Sequence, residues 1–208
     1  MRYVDVETWD RKKYIDMFEK YAITKYSVTV DIDVTSFLEK TKKRGRSFYA
    51  SFVYVSTKAL NAVEPFRFRR IGDAYAVIDR MDSVLAVMTP GDTAFRNITL
   101  RSDVSPDVFE ANYKSSLETP GEADIMIDGA KDIWPAYHST TPWYSFTGLS
   151  PLPDPDKWNN DPLIICGKFR NENGKVMMPT AIQANHIFVQ GNDIGAYLDR
   201  LAAEMRSF

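Results

Sequence analysis

The sequence predicts an α/β or α+β fold around a mixed sheet. Short runs rich in Val, Ile, Thr and Tyr recur between turn signals, which is the mark of strands. Amphipathic stretches with i, i+3, i+4, i+7 spacing stand near the start, in the middle and at the end of the chain. Strands and helices do not alternate strictly, as a parallel βαβ array would require. A chain of 208 residues without a linker-like break reads as a single domain, 1–208.

The elements follow in order. Tyr14, Met17, Phe18 and Tyr21 share a helical face, and the helix is expected to begin near Thr8. Ile23 to Asp33 alternates as a strand. Asp33 or Thr35 can cap a short helix ending in the basic run Lys40 to Arg46, whose cations suit a helix C-terminus or an anionic ligand. Ser47 caps a long helix bearing Phe48, Phe52, Val55, Ala59 and Val63, closed by Pro65. Four short strands follow, Arg67–Ile71, Ala74–Ile78, Ser83–Met88 and Ala94–Leu100, separated by Gly72-Asp73, Asp79-Arg80 and Pro90-Gly91. Pro106 opens a helix with Phe109, Tyr113 and Leu117 on one face, and Pro120-Gly121 ends it. Asp128 to Thr141 has no clear pattern, and Ser145 sits among aromatics in a short strand-like run. A proline-rich loop covers Ser150 to Asp156. Leu163 to Phe169 is an apolar strand, and Glu172-Asn173-Gly174 turns it into a second strand that runs to His186. Asn192-Asp193 opens the last helix, with Ile194, Tyr197, Leu198, Leu201 and Met205 in register.

Composition removes several function classes. A net charge of -2 leaves no basic excess for a phosphate backbone, so nucleic acid is not an expected partner. Cys166 is the single cysteine, which excludes an internal disulfide and a cysteine zinc site. The two histidines are far apart in sequence, so no metal is expected. The charged N-terminus does not read as a signal peptide, and no apolar run approaches the ~18 residues of a membrane span. The expected location is cytoplasmic, with no membrane partner.

The chemistry-bearing residues are few. There is no Gly-x-Ser-x-Gly elbow, no dinucleotide glycine motif and no phosphate loop. Cys166 lies in an apolar strand, where burial makes a thiol inert. His186, at a strand end, can accept a proton near neutral pH, or it is a buried structural histidine. Ser145 offers a hydroxyl, or simply a small side chain that fits a crowded strand.

Read together, Thr141-Pro-Trp-Tyr-Ser145-Phe-Thr147, Gly167-Lys-Phe169 and Met178-Pro-Thr-Ala-Ile-Gln-Ala-Asn-His186-Ile-Phe-Val-Gln190-Gly191 resemble the chloramphenicol acetyltransferase family. The likeness extends through Trp9-x-Arg11-Lys12, Phe48-Tyr-Ala-Ser-Phe52 and Glu64-Pro-Phe-Arg67, and so covers nearly the whole chain. It implies a central mixed sheet flanked by helices, assembled as a homotrimer with the active site at the subunit interface. It implies direct acetyl transfer from acetyl-CoA to an alcohol such as chloramphenicol, and with it antibiotic resistance. His186 is then the general base and Ser145 the oxyanion donor. Lys168 and Phe169 meet coenzyme A, the cation near phosphate and the aromatic under adenine. Phe18, Ile23, Thr24 and Tyr137, with Val87, line the acceptor pocket. The tautomer of His186 calls for an acceptor, such as a backbone carbonyl, at its other ring nitrogen. His138 has no counterpart in the family.

Three positions depart from the family pattern. The family's Asp before the motif glycine, which pairs with an arginine of the first helix, is Gln190 here, although Arg11 is present. Arg11 is expected to bond Gln190 or a substitute carboxylate, Asp193 or Asp10, and Gln190→Asp to raise stability or activity modestly. A polar threonine of the family's active site falls on Ile165, and the first histidine of its His-His pair is Asn185. These departures leave a second reading, a weakened relative that binds a hydrophobic small molecule or CoA without efficient turnover. A third, the acyltransferase core of a 2-oxo acid dehydrogenase complex, lacks here a lipoyl domain and a Pro/Ala-rich linker.

Overall fold

The structure is a computed structural model, and it describes residues 1–89, 91, 93–118 and 133–208. The chain runs β1 (Arg2–Val4), α1 (Lys12–Phe18), β2 (Lys25–Asp33), α2 (Thr35–Lys43), α3 (Phe48–Ala62), β3 (Phe68–Ile71), β4 (Ala74–Val77), β5 (Asp82–Val87), β6 (Arg96–Leu100), α4 (Pro106–Glu118), β7 (Pro135–Thr141), β8 (Leu163–Gly167), β9 (Arg170–Glu172), β10 (Lys175–Asn185) and α5 (Gly191–Ser207). The larger sheet has the order β2-β10-β8-β7-β5-β6, with β9 also on β10. It is mixed: β5, β7 and β8 are parallel, while β10 is antiparallel to both neighbours. A second, antiparallel sheet holds β1, β4 and β3.

The long helices form where their signals stand. Ser47 accepts the Ala50 N–H and starts α3, an N-cap that leaves one fewer orphan donor. α3 lies against α5, β5 and β7. Phe52, Leu60, Leu85, Ile164, Ile182, Tyr197 and Leu201 are buried between them. The basic run closes a helix end: Lys40 Nζ donates to the Met205 and Arg206 carbonyls, the C-terminus of α5. The β9–β10 turn has two successive positive φ values, 49° at Asn173 and 79° at Gly174, which is the twist a tight hairpin needs.

Several boundaries differ from expectation. α1 begins at Lys12, after a short 3₁₀ turn over Val6–Thr8, and buries only Ile15. Met17 and Tyr21 are exposed, and of that aromatic face Phe18 packs partly buried against the core. The stretch around Ser145 is irregular, because Pro142 ends β7 and the chain leaves the sheet. β1 was not foreseen, and β7 arises from part of the unassigned stretch; residues 128–132 and the Pro120-Gly121 stop lie outside the described residues.

Candidate active site

β10 delivers His186. Its last residue, Asn185, pairs with Lys25 of β2, and the chain then turns through His186–Gln190 into α5. Asn185 builds that turn. Its carbonyl accepts from Phe188 N (3.1 Å) and Val189 N (2.8 Å), and its side-chain oxygen accepts from Ile187 N (2.9 Å). Its amide donates to the Lys157 and Asn159 carbonyls at 2.8 and 2.9 Å, stapling the turn to the loop after Pro153. Lys25 holds that loop from the strand side, through Asp154 at 2.9 Å and the Asp161 carbonyl at 3.2 Å.

The half-buried imidazole of His186 is sandwiched. Phe18 stacks on one side with ring centroids 4.2 Å apart, and the Tyr26 ring is 4.4 Å away. Offset ring pairs of this kind are worth ~0.5–1.5 kcal/mol each. Tyr26 donates its hydroxyl to the Val189 carbonyl, and burial pushes its pKa up to about 12, so it stays a neutral donor. Among the described residues Nδ1 of His186 has no hydrogen-bond partner, against the expected backbone acceptor. Stacking and the backbone hold the ring instead.

Beneath the turn lies an ion pair. Arg11 Nη1 and Nη2 meet the Asp193 carboxylate at 2.6 and 2.8 Å, and Nη1 also donates to the Phe188 carbonyl. Arg11 makes no bond to Gln190 or Asp10 among these contacts; of the alternatives weighed, Asp193 is its partner. Gln190 does something else, donating its side-chain N–H to the His186 carbonyl at 2.8 Å.

A second group of residues stands at the other end of the sheet. A cleft of about 390 Å³ is lined by Tyr49, Val87, Phe95, Tyr113, Ser139 and Trp143, among others. A smaller one of about 140 Å³ adjoins it, sharing Tyr49, Thr140 and Pro142, and reaches Lys168 and Phe169. The Phe169 ring packs edge-on to Phe48 at 4.9 Å. Cys166 lines the smaller cleft, but burial pushes its thiol up to about 12.

Within one chain the predicted residues fall in different surroundings. Ser145 is exposed, lines neither cleft, and accepts a hydrogen bond from Arg170 at 3.2 Å. The larger cleft is lined by the hydroxyl-bearing Tyr49, Tyr113, Thr140 and Thr141 and by Ser139, which sequence reading missed. Its signal was there: Ala136-Tyr-His-Ser-Thr-Thr141 is a β-branched and aromatic run ending at a proline. Thr24 is buried and donates its hydroxyl to Lys157 O at 2.5 Å, so it braces the histidine turn. Ile23 is exposed, and Phe18 packs on the histidine. Tyr137 is half-buried on β7, two positions before Ser139 and on the same side of the strand. Ile165 pairs with both Ser139 and Ala181, so it adds an apolar side chain to their row. His138, between Tyr137 and Ser139, points the other way and is structural. Its Nε2 lies 2.9 Å from Ser56 Oγ, which lies 2.9 Å from the Tyr197 hydroxyl, and burial lowers its pKa to about 4.

One copy of the chain does not bring Ser139 and His186 together. Ser139 pairs with Ile165 and Ile165 with Ala181, two strands across and four residues short of Asn185. At strand spacings, that puts Ser139 and His186 roughly 15 Å apart or more.

A family model described as "Chloramphenicol acetyltransferase" matches residues 1–202. A chloramphenicol acetyltransferase of Escherichia coli is 27% identical over 202 residues, covering 95% of this chain and 90% of that protein. One of Staphylococcus aureus is 28% identical over 204 residues, covering 94% and 92%. Among solved structures, a chloramphenicol acetyltransferase superposes with a TM-score of 0.88 at 22% identity, covering 97% of this chain and 98% of that one. The cubic core of a pyruvate dehydrogenase multienzyme complex shares the fold more distantly, with a TM-score of 0.66 at 13% identity, covering 93% and 86%.

Proposed function

This chain belongs to the chloramphenicol acetyltransferase family and is an acyltransferase, and from that premise we propose that it moves an acetyl group from acetyl-CoA directly to an aryl alcohol such as chloramphenicol. His186 is the general base. Its free ring nitrogen takes the proton of the acceptor hydroxyl as that oxygen attacks the thioester carbon. A C–O bond forms and the carbonyl oxygen becomes an oxyanion. When the oxyanion collapses the C–S bond breaks, and the imidazolium returns the proton to the departing thiolate. No acyl-enzyme is needed, since the acceptor is itself the nucleophile.

The oxyanion requires a hydrogen-bond donor in a dry site, a contact worth about 10²–10³ in rate. Ser139, which lines the apolar cleft, is one candidate for that role; Ser145, which the resemblance implies, is the other, exposed in the single chain beside Arg170 as a residue at a subunit interface would be. Lys168 and Phe169 mark the coenzyme A end of the adjoining cleft. Tyr49, Phe95, Tyr113 and Trp143 suit a flat aryl acceptor.

The observation that carries this reading is the pair of half-sites. The base stands at one end of β10, its ring clamped by Phe18 and Tyr26. The cleft and its hydroxyl stand at the other end, too far away to react with it. A homotrimer, with the base of one protomer facing the cleft of its neighbour, completes three sites, each built from a single domain of 208 residues per protomer.

Coexpression tests the arrangement. His186→Ala and Ser139→Ala are each expected to lose most acetyl transfer to chloramphenicol, read as released thiol. Random mixed trimers should regain about a quarter of wild-type activity, because that share of interfaces pairs an intact histidine with an intact serine. No recovery would place both groups in one protomer. An active His186→Ala would remove the base.

A further inference from the structure

We propose that Gln190 is a positioning residue for His186, and that its role requires a side-chain N–H donor, which a carboxylate at this position would lack. The proposal rests on His186 being the base. The two peptide planes that flank the His186 Cα set the direction of its Cα–Cβ bond. The N–H of one is anchored to the Thr24 carbonyl at 2.8 Å. The C=O of the other is anchored by Gln190 Nε2, also at 2.8 Å. The ring itself offers no third anchor, since Nδ1 is buried without a partner among the described residues. Stacking between Phe18 and Tyr26 restrains its tilt, but two flat neighbours leave it free to slide in its own plane. The in-plane position of the reacting nitrogen therefore depends on the backbone, whose C-terminal plane is held at its N–H by the Asn185 side chain and at its C=O by Gln190.

Gln190 is 8% exposed and its bond to the His186 carbonyl is part-buried, so a carbonyl that lost this donor would carry part of its desolvation cost. Arg11 and Asp193 beside it are already paired. The Gln190 backbone N–H donates to Asp193 Oδ2 at 2.8 Å, and that carboxylate holds Arg11. A carboxylate at position 190 would face the His186 carbonyl oxygen with nothing to donate. It would also stand beside Asp193 and compete for one guanidinium. The expectation that Gln190→Asp improves the protein is therefore reversed. The ion pair has moved to Asp193, and the position it left carries a donor.

Gln190→Met removes the donor at nearly constant volume and adds no charge, and Gln190→Glu removes it and adds one. Each is expected to lower kcat by about tenfold or more, the size of one misplaced reacting group, with KM for acetyl-CoA within about twofold. The chain has only two histidines, so imidazole NMR reads the site and the fold separately. In both variants the His138 resonances should stay in place, reporting an intact core, while those of His186 shift or broaden. Unchanged kcat in Gln190→Met would overturn the proposal, and so would an unchanged His186 signal beside a lost kcat. His186→Ala assayed alongside separates the two ideas. If that variant stays active, the base assignment fails, while the NMR result still decides whether Gln190 holds the ring.

Discussion

Arg11 and Asp193 are 182 residues apart in sequence and meet through two parallel hydrogen bonds of 2.6 and 2.8 Å. The pair joins the segment entering α1 to the first turn of α5, and Asp193 also receives the Gln190 backbone N–H, so one carboxylate serves as ion-pair partner and helix cap. The Asp193 side chain is 6% exposed and that of Arg11 23%, so the pair is only partly screened. Hydrogen bonding to Asp193 raises the Arg11 pKa further and keeps the guanidinium charged. Asp193→Asn leaves a half-buried cation without its counter-charge and is expected to cost about 2 kcal/mol, below the 3–5 of a fully buried pair. Urea denaturation of the variant measures it. A loss under about 0.5 kcal/mol would mean that the Phe188 carbonyl and solvent suffice for Arg11.

Acid should reach the core through His138. Burial lowers its pKa to about 4 from the usual 6.5, and its ring bonds the Ala136 carbonyl and Ser56. The folded state thus favours neutral imidazole. The unfolded chain binds a proton first as pH falls, so the contribution is full above about 6.5 and is lost between there and 4. A shift of this size corresponds to on the order of 3 kcal/mol. His138→Gln should melt with a shallower dependence on pH across that window than the natural protein. Parallel melting curves in the two proteins would show that other groups dominate.

Gly167 stands where no side chain fits. A Cβ there would come within 2.8 Å of both Phe146 and Pro179. Phe146 belongs to the segment that carries Pro142 and Trp143 past the cleft, so an added methyl must push that segment or strand β10. Gly167→Ala is expected to destabilise by about 1–3 kcal/mol, the range for overpacking. It should also raise KM for acetyl-CoA, since Lys168 and Phe169 follow directly. A variant with unchanged melting temperature and KM would show that the Phe146 ring simply swings aside.

What could be read from the sequence depended on whether a signal was local. Ser47, Pro65, Asn173-Gly174 and the apolar spacing of α3 and α5 are local instructions, and the elements stand where those instructions lie. His186 was legible as the end of a strand because β10 and its turn are contiguous. Ser139 stands in a run whose β-branched and aromatic residues mark a strand, but nothing in that run says which of its side chains face a cleft. The bracing role of Thr24 is likewise not a local signal. Its buried hydroxyl serves a carbonyl 133 residues away, which no window along the chain can contain. Asp193 was one of two substitutes weighed for Arg11, and only the turn of α5 decides between it and Asp10.

The staple beneath His186 has a consequence for what the motif is worth in isolation. Three strangers in sequence meet there: Thr24 at the mouth of β2, the Lys157–Asn159 carbonyls in mid-loop, and Asn185 at the close of β10. A peptide of residues 176–191 would spell the motif in full and still not hold its histidine. The placing of His186 is a product of the completed topology. It comes into being only where the two ends and the middle of the chain have found one another.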